Sequence, residues 1–223
     1  MKAIIFGATG MVGQGVLREC LRDLEVTHVL SIGRTPTETR DAKVTELVHR
    51  ELTDYSAIAE RLRGYDACFF CLGVSSAGMR EDAYRRVTYD ITVAAAETLA
   101  RLNPAMTFLY VSGTGTDGSE KGRVMWARVK GATENAVLRL PFAAAYMFRP
   151  GFIQPLHGIH SKTRLYSVLY SVSAPLYPLL RMVAGKYLTT TEELGRAMLC
   201  VAKRGAAKAI LESTDIAAAA RSC

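Results

Sequence analysis

The feature that most constrains this chain is its first fifteen residues, MKAIIFGATGMVGQG. The uninterrupted apolar run over residues 3–6 is typical of a strand that is buried on both faces. Three glycines spaced three apart follow it, and apolar residues at helical spacing come after them. A strand, a glycine-rich turn and a helix predict the opening unit of a doubly wound parallel sheet, whose helix N-terminus can bind a pyrophosphate.

Each of the three glycines has its own physical role in such a unit. Gly7 permits a tight turn, Gly10 lets the backbone approach a pyrophosphate, and Gly13 allows the helix to pack closely on the strand. A glycine triplet alone is a weak signal. Its position between a strand and a helix favours a dinucleotide site over a turn without a ligand.

The chain continues as an alternation of strands and helices. This pattern predicts an α/β fold, a Rossmann-type doubly wound parallel sheet with helices on both faces. A capping box beginning at Thr190 predicts a late helix, and we expect the tail from Thr214 to be frayed. The predicted strands lie at 28–32, 44–48, 66–72, 106–111, 143–148 and 206–211, and the predicted helices at 54–62, 80–102 and 125–138.

The alternation lapses after Gly151, but no linker divides the chain. We therefore expect residues 1–223 to form a single NAD(P)-binding Rossmann domain, with residues 152–190 as a small helical C-terminal cap over the substrate cleft. Basic residues at 157–164 precede an apolar segment. A lid or a dimer contact is favoured for 157–180 over contact with a membrane surface, and we expect a monomer or a homodimer.

The charge balance restricts the classes of partner. A net charge of +7, from 28 basic and 21 acidic residues spread along the chain, suits a polyphosphate cofactor or an anionic substrate. No nucleic-acid-binding motif is present, so we expect no nucleic acid partner. The first strand begins at once, and two prolines break the longest uncharged run. We therefore expect no targeting segment, no transmembrane helix and a cytoplasmic location.

The sequence also argues against a metal site. Cys68 and Cys71 form a CxxC pattern, but on a strand two residues three apart face opposite sides and cannot chelate together. His157 and His160 have no carboxylate or cysteine at ligand spacing. We expect no metal.

The end of the second predicted strand indicates which nucleotide is bound. An acidic residue at this position would accept hydrogen bonds from a ribose 2′-hydroxyl, but the strand ends at Gly33-Arg34. A guanidinium there can pair with a 2′-phosphate in bidentate geometry. Arg34 therefore favours NADP(H) over NAD(H), the alternative being a solvated surface arginine.

Four motifs occur in order: GATGMVG at 7–13, CLGVSSAG at 71–78, VKGATE at 129–134 and FRPGF at 148–152. With them the chain resembles the atypical and extended short-chain dehydrogenase/reductases. It is most similar to their NAD(P)H-binding, epimerase-like group, which includes NmrA-like and Tat-interacting oxidoreductase-like proteins. The resemblance implies an NADP(H)-binding oxidoreductase or epimerase-like protein that acts on an apolar carbonyl or hydroxyl compound.

The resemblance also implies roles for individual residues. Ser112 would hydrogen-bond a substrate carbonyl or hydroxyl, and Lys130 would hold the nicotinamide ribose and lower the pKa of a tyrosine. The implied cofactor contacts are Gly7, Thr9, Gly10, Met11, Val12 and Gly13 at the pyrophosphate, Arg34 at the 2′-phosphate, Leu52 and Thr53 near the adenine, Leu72 and Gly73 at the nicotinamide ribose, and Pro150 and Gly151 at the nicotinamide amide.

The family's catalytic tyrosine is missing. Its chemistry requires YxxxK, but Trp126 stands four residues before Lys130, and none of the ten tyrosines precedes a lysine by four. An indole N–H donates a hydrogen bond but is no proton-transfer acid near neutral pH. Trp126 is either a core aromatic or a platform on which a flat ligand stacks.

Two interpretations follow from this substitution. In the first, a tyrosine of the cap, such as Tyr166 or Tyr170, supplies the proton of an NADP-dependent oxidoreductase or epimerase. In the second, the protein is a non-catalytic NADP(H)-binding sensor or regulatory scaffold of the NmrA type. Ser112 and Lys130 favour the enzyme, and Trp126 favours the regulator.

Overall fold

The computed structural model describes residues 1–159 and 188–222. Strands and helices alternate along most of the described chain. The elements in chain order are β1 (Lys2–Phe6), α1 (Met11–Arg22), β2 (His28–Gly33), β3 (Val44–Val48), a 3-10 helix (Ser56–Leu62), β4 (Ala67–Phe70), α2 (Glu81–Arg85), a π-helical turn (Arg86–Asp90), α3 (Ile91–Leu102), β5 (Thr107–Val111), α4 (Met125–Leu138), β6 (Ala144–Arg149), β7 (Phe152–Gln154), β8 (Leu188–Thr190), α5 (Thr191–Arg204), β9 (Ile210–Glu212) and α6 (Ser213–Arg221).

The main sheet has seven strands in the order β3-β2-β1-β4-β5-β6-β9, and every neighbouring pair is parallel. The chain runs outward from β1 to β3 and then returns to the other side of β1 as β4. The order therefore reverses between β1 and β4, which is where a crevice opens at the carboxyl ends of such strands. The predicted Rossmann-type parallel sheet is confirmed.

Both faces of the sheet are covered, as the apolar run of β1 predicts. Ala3 and Ile5 pack into a buried cluster with residues of α1, α5 and α6, whereas Ile4 and Phe6 pack on the opposite face with residues of the 3-10 helix, α3 and α4. All four side chains are fully buried. The alternation of Cβ directions along a strand explains how one apolar run serves two layers.

Helices α1 and α5 approach each other through two glycines. A Cβ at Gly195 would lie 2.8 Å from the carbonyl oxygen of Gly15, and a Cβ at Gly15 would lie 2.5 Å from the carbonyl oxygen of Thr191. The Thr190 side chain accepts a hydrogen bond from the Glu193 backbone in the predicted capping box at the start of α5. Because neither glycine has room for a side chain, the two helices pack with their backbones nearly in contact.

The expectation of a frayed tail from Thr214 is wrong. Residues 213–221 form α6, and Glu212 and Asp215 complete a capping box at its start. Ile216 is fully buried and Ala220 is almost fully buried. The apolar face of α6 packs against α5 and the sheet, and this burial offsets the entropy of ordering a chain end.

Two predicted helices differ in type from those observed. The helix predicted over 80–102 contains the π-helical turn between α2 and α3, and the helix predicted over 54–62 is a 3-10 helix from Ser56. Asp54 accepts a hydrogen bond from the Ser56 backbone but is not the N-cap residue, which is Tyr55. Hydrophobic spacing does not distinguish these helix types because their periods are too similar over so few residues.

The predicted cap is described only at its ends. β7 and β8 pair as a parallel two-stranded sheet with Phe152 opposite Leu188. The remainder of the predicted cap, with Tyr166 and Tyr170 and most of the segment considered for membrane contact, lies outside the described residues. Within residues 1–159 and 188–222, no helix is long and apolar enough to cross a membrane.

The contact between α1 and α5 leads to a stability prediction. Gly195→Ala is expected to lower the free energy of unfolding by about 1–3 kcal/mol, because the new methyl group forces the two helices apart. Urea unfolding monitored by circular dichroism measures the change. Gly118→Ala is the matched control, since a Cβ there would meet no atom closer than 3.9 Å; equal effects of the two substitutions would contradict the prediction.

Candidate functional site

A cavity of about 1060 Å³ lies at the carboxyl ends of the central strands. The turn after β1, the ends of β2, β4 and β5, and the segment after β6 contribute to its wall. Twelve of the residues predicted for the site line it: Gly7, Thr9, Gly10, Met11, Val12, Arg34, Leu72, Gly73, Ser112, Lys130, Pro150 and Gly151. Gly13, Leu52, Thr53 and Trp126 are not among its described lining residues.

The glycine turn brings the start of α1 to the cavity. Gly7 has φ +78° and its carbonyl oxygen accepts a 2.9 Å hydrogen bond from the Gly10 backbone. A Cβ at Gly13 would lie 2.1 Å from the Gly7 carbonyl oxygen, so Gly13 packs beneath the turn instead of facing the cavity. Gly10 is the N-cap of α1 and supplies no side-chain cap. The first-turn N–H groups are therefore available to an anion.

Two further glycines leave bare backbone on the cavity wall. A Cβ at Gly73 or at Gly113 would meet no protein atom within 4 Å. Both residues line the cavity, after β4 and β5 respectively. The space that these side chains would occupy is open to a ligand, and a dinucleotide that lies close to the backbone fits such a wall.

Two arginines stand at neighbouring strand ends. Gly33 of β2 pairs with Val48 of β3, so Arg34 and Arg50 lie just beyond the same edge of the sheet. Both are exposed and both line the cavity. No aspartate or glutamate is among the described lining residues. The cavity therefore presents cations without a counter-charge on its described wall, which favours an anionic ligand.

Arg50 was not predicted for the site, although the sequence carries a signal for it. The carboxyl ends of parallel neighbours meet at one edge, and the argument used for Arg34 after the second strand applies also to the residues just after the third. The resemblance instead pointed to Leu52 and Thr53. Leu52 is buried, and the Thr53 hydroxyl hydrogen-bonds the Glu51 carboxylate.

Ser112 and Lys130 come together at the end of β5. The Lys130 ammonium donates hydrogen bonds to the carbonyl oxygens of Ser112, at 3.0 Å, and of Val111, at 3.3 Å. The Ser112 hydroxyl lies 2.7 Å from that of Thr116, and both residues are buried. The helix α4 thus places Lys130 beneath the strand end that carries Ser112.

Burial sets the protonation behaviour of two titratable groups that line the cavity. Burial lowers the pKa of the Lys130 ammonium to about 8, although the Glu134 carboxylate one turn later opposes the shift. Burial raises the pKa of the thiol of Cys71, which also lines the cavity. Lys130 can therefore exchange a proton near neutral pH, whereas Cys71 stays a neutral thiol.

Trp126 lies beside the loop that follows β5. A Cβ at Gly115 would lie 3.7 Å from the Cη2 atom of Trp126, so the indole packs close to that glycine. The side chain is half-buried. In the described part of the chain, Trp126 contacts the loop and does not form the cavity wall.

An ion-pair network at the end of β6 supports the loop that carries Ser112. Arg149 at the end of β6 binds both carboxylate oxygens of Glu134 in α4 and one oxygen of Glu212 at 3.2 Å. Glu134 is only 1% exposed. The Arg149 carbonyl oxygen accepts a 3.0 Å hydrogen bond from the Thr114 hydroxyl. The network connects β6, α4 and the loop that carries Ser112.

Metal ligands are not gathered in the described residues. Within 1–159 and 188–222, no group of three or more His, Cys, Asp or Glu side chains is placed to hold a metal ion. His157 contacts the Glu192 carboxylate at 2.5 Å, a partner from a distant part of the chain that local spacing does not reveal.

Comparison with known proteins identifies the family. A family model described as NAD(P)H-binding matches residues 7–139, which include the glycine turn and the whole segment from β5 to α4 with Lys130. The chain belongs to this NAD(P)H-binding family. The match covers most of the strands whose ends line the cavity.

Similar proteins agree with this assignment. Protein HTATIP2 of Rattus norvegicus is 31% identical over 152 residues, which are 67% of this chain and 61% of that protein. Protein FMP52-1, mitochondrial, of Scheffersomyces stipitis is 26% identical over 155 residues, 69% of this chain and 67% of that protein. The predicted resemblance to the atypical short-chain dehydrogenase/reductases is confirmed. The cytoplasmic location stays a prediction, since that yeast protein is named as mitochondrial.

The fold also matches solved structures. The Bordetella bronchiseptica enzyme WbmF, in complex with NAD+, superposes with a TM-score of 0.68 at 13% identity, covering 99% of this chain and 77% of that one. At this identity the likeness shows the fold alone. The NAD(P)H-binding family and the Rossmann-type sheet are therefore established by independent comparisons.

The buried network gives a stability prediction for this NAD(P)H-binding protein. Arg149→Met is expected to lower the free energy of unfolding by about 3–5 kcal/mol, because it leaves the Glu134 carboxylate buried without its partner. Chemical denaturation provides the measurement. Arg63→Met, which removes an exposed partner of Glu60, is the control and should change stability by less than about 1 kcal/mol. A similarly small effect of Arg149→Met would contradict the assigned role.

Proposed function

We propose that the protein is an NADP(H)-dependent oxidoreductase acting on an apolar carbonyl or hydroxyl compound, with Trp126 at the family's tyrosine position. The observation that carries this proposal is the arrangement of one cavity. It combines the Lys130–Ser112 pair at one strand end with Arg34 and Arg50 at another, and no acidic side chain is among its described lining residues.

The preference for NADP(H) over NAD(H) rests on the two arginines. Neither Arg34 nor Arg50 has an acidic partner among the described ion pairs, so both guanidinium groups are available to a 2′-phosphate. The turn residues from Gly7 to Val12 would bind the pyrophosphate through backbone N–H groups. Leu72, Gly73, Pro150 and Gly151 would border the nicotinamide end, where the wall of bare backbone accommodates a flat ring.

The arginine assignment predicts a cofactor-specific loss of affinity. Arg34→Ala is expected to weaken NADPH binding by about 10- to 100-fold and to leave NADH binding unchanged, because only NADPH carries the 2′-phosphate. Arg50→Ala should act in the same direction. Fluorescence titration with both nucleotides measures the effect, with the exposed Arg63→Ala as control. Equal affinity of the natural protein for both nucleotides would contradict the preference.

We assign the proton-transfer role in carbonyl reduction to Lys130. NADPH, when bound, would supply the hydride for the carbonyl carbon. The carbonyl oxygen then takes a proton from the Lys130 ammonium, so the products are an alcohol, NADP+ and a neutral amine that regains a proton from water. Two of the three Lys130 donors are held by the carbonyl oxygens of Val111 and Ser112, which leaves one for a ligand.

This role predicts a pH dependence. The ammonium is the proton donor below its pKa of about 8, so the rate of carbonyl reduction should fall roughly tenfold per pH unit above pH 8. Lys130→Met and Lys130→Arg should both abolish reduction, because a guanidinium is not deprotonated in proteins, whereas Lys130→Arg should retain NADPH binding. NADPH oxidation with cyclohexanone and benzaldehyde as probes measures the rates. Carbonyl reduction by Lys130→Arg at the rate and with the pH profile of the natural protein would overturn the assignment.

A regulator that binds NADP(H) without turnover is the second candidate. Trp126 favours it, because an indole cannot replace the proton-transfer role of a phenol. The same assay separates the candidates. Tight NADPH binding by the natural protein with no oxidation of NADPH by any carbonyl probe would support the regulator and count against the oxidoreductase.

A further inference from the structure

Three oxygen atoms form a hydrogen-bonded chain next to the cavity. The Ser112 Oγ atom lies 2.7 Å from Thr116 Oγ1, and Thr116 Oγ1 lies 2.8 Å from the Gly113 carbonyl oxygen. Ser112 and Thr116 are each 7% exposed. Ser112 lines the cavity, whereas Thr116 is not among the described lining residues.

The direction of this chain follows from its last member. A carbonyl oxygen only accepts, so the hydrogen bond between Thr116 Oγ1 and the Gly113 oxygen uses the single Thr116 hydroxyl proton. The Thr116 oxygen can then only accept from Ser112 across the 2.7 Å contact. The Ser112 proton is therefore directed away from the cavity, and the lone pairs of the Ser112 oxygen are available to a ligand.

A second hydroxyl on the same wall also donates its proton to an acceptor inside the protein. Thr114 also lines the cavity, and its hydroxyl donates to the Arg149 carbonyl oxygen. The hydroxyls of Ser112 and Thr114 thus both donate their protons to acceptors inside the protein. The wall next to Lys130 consequently presents acceptors for a ligand group that carries its own proton.

We propose that Thr116 is a positioning residue that fixes the Ser112 hydroxyl as a hydrogen-bond acceptor, so that the site prefers an alcohol over the corresponding carbonyl compound. This inference rests on the proposed function and narrows its substrate class. A ligand hydroxyl donates to Ser112 without disturbing the chain. A ligand carbonyl takes the Ser112 proton, which breaks either the Ser112–Thr116 hydrogen bond or, if Thr116 turns its proton to Ser112, the Thr116–Gly113 hydrogen bond.

The cost of that broken hydrogen bond sets the expected selectivity. One neutral hydrogen bond corresponds to roughly a five- to tenfold change in affinity. The backbone N–H of Thr116 also donates to the Gly113 oxygen at 3.1 Å, so a turn of the Thr116 hydroxyl proton does not leave that oxygen without a partner. The preference is therefore moderate, and carbonyl compounds can still bind.

Two unreactive probes on the NADP+-loaded protein test the inference. 1-Methylcyclohexanol is a tertiary alcohol that cannot be oxidised, and cyclohexanone cannot be reduced without a hydride donor. Ligand-observed NMR titration measures both dissociation constants. The natural protein should bind the alcohol about five- to tenfold more tightly than the ketone. A preference for the ketone would overturn the proposal.

Variants of Thr116 isolate its role. Thr116→Val and Thr116→Ala should both abolish the preference, because Ser112 is then free to donate its proton toward the ligand. Thr116→Ser should retain it. Thr92→Val is the matched control, since it removes a buried hydroxyl that donates to the Thr88 carbonyl oxygen in a different part of the fold. An unchanged alcohol-to-ketone ratio in Thr116→Val would overturn the proposal.

A double substitution tests whether Thr116 acts through Ser112. In the Ser112→Ala background, Thr116→Val should have no further effect on the ratio. An additional effect there would show that Thr116 acts by another route. If Thr116 had only a structural role, its substitution would weaken the binding of both probes equally, and the ratio of their dissociation constants would not change.

The two proposals fail in distinguishable ways. A protein that binds NADP+ but neither probe contradicts the inference about the substrate class and leaves the proposed cofactor intact. A protein that does not bind NADP+ contradicts the proposed function. The same probes are then titrated on the protein alone. There the alcohol-to-ketone affinity ratio of the natural protein and of the Thr116 variants still shows whether Ser112 acts as an acceptor.

Discussion

The backbone contact between the glycine turn and α1 is the constraint on which the site depends. A Cβ at Gly13 would lie 2.1 Å from the Gly7 carbonyl oxygen, so only glycine allows α1 to begin directly at the end of β1. The start of α1 is thereby held at the cavity edge, with Gly10 as its N-cap. Because β2 and β4 pair with β1, the residues after those strands are placed relative to this turn.

A second close backbone contact positions the side of the cavity that carries Ser112 and Lys130. A Cβ at Gly131 would lie 1.8 Å from the Asp117 carbonyl oxygen, and the Asp117 N–H donates to the Ala127 carbonyl oxygen at 3.1 Å. The loop after β5 therefore lies directly on α4. This contact brings the Ser112–Thr116 chain and Lys130 to one side of the cavity, although Lys130 stands fourteen positions after Thr116 in the sequence.

The sequence predicts most of the sheet because its signals are local. Buried parallel strands are short apolar runs, and their carboxyl ends share one edge, so Arg34, Ser112 and the glycine turn could be assigned to one site. Arg50 follows the same rule, whereas the resemblance implies Leu52 and Thr53, which do not line the described cavity. The order of the tail beyond Thr214 was mispredicted, since α6 is stabilised by burial against α5, a contact that composition does not encode.

The sequence by itself determined the parallel sheet, the glycine turn and the NAD(P)H-binding family, and it places Trp126 four residues before Lys130. These depend on residue type and spacing, which are readable along the chain. Only the tertiary structure decided that Trp126 packs at Gly115, that burial lowers the pKa of Lys130, and that the Ser112 hydroxyl lies within hydrogen-bonding distance of Thr116. Burial and hydrogen-bond direction depend on how separate segments meet in space, and a linear sequence does not specify that geometry.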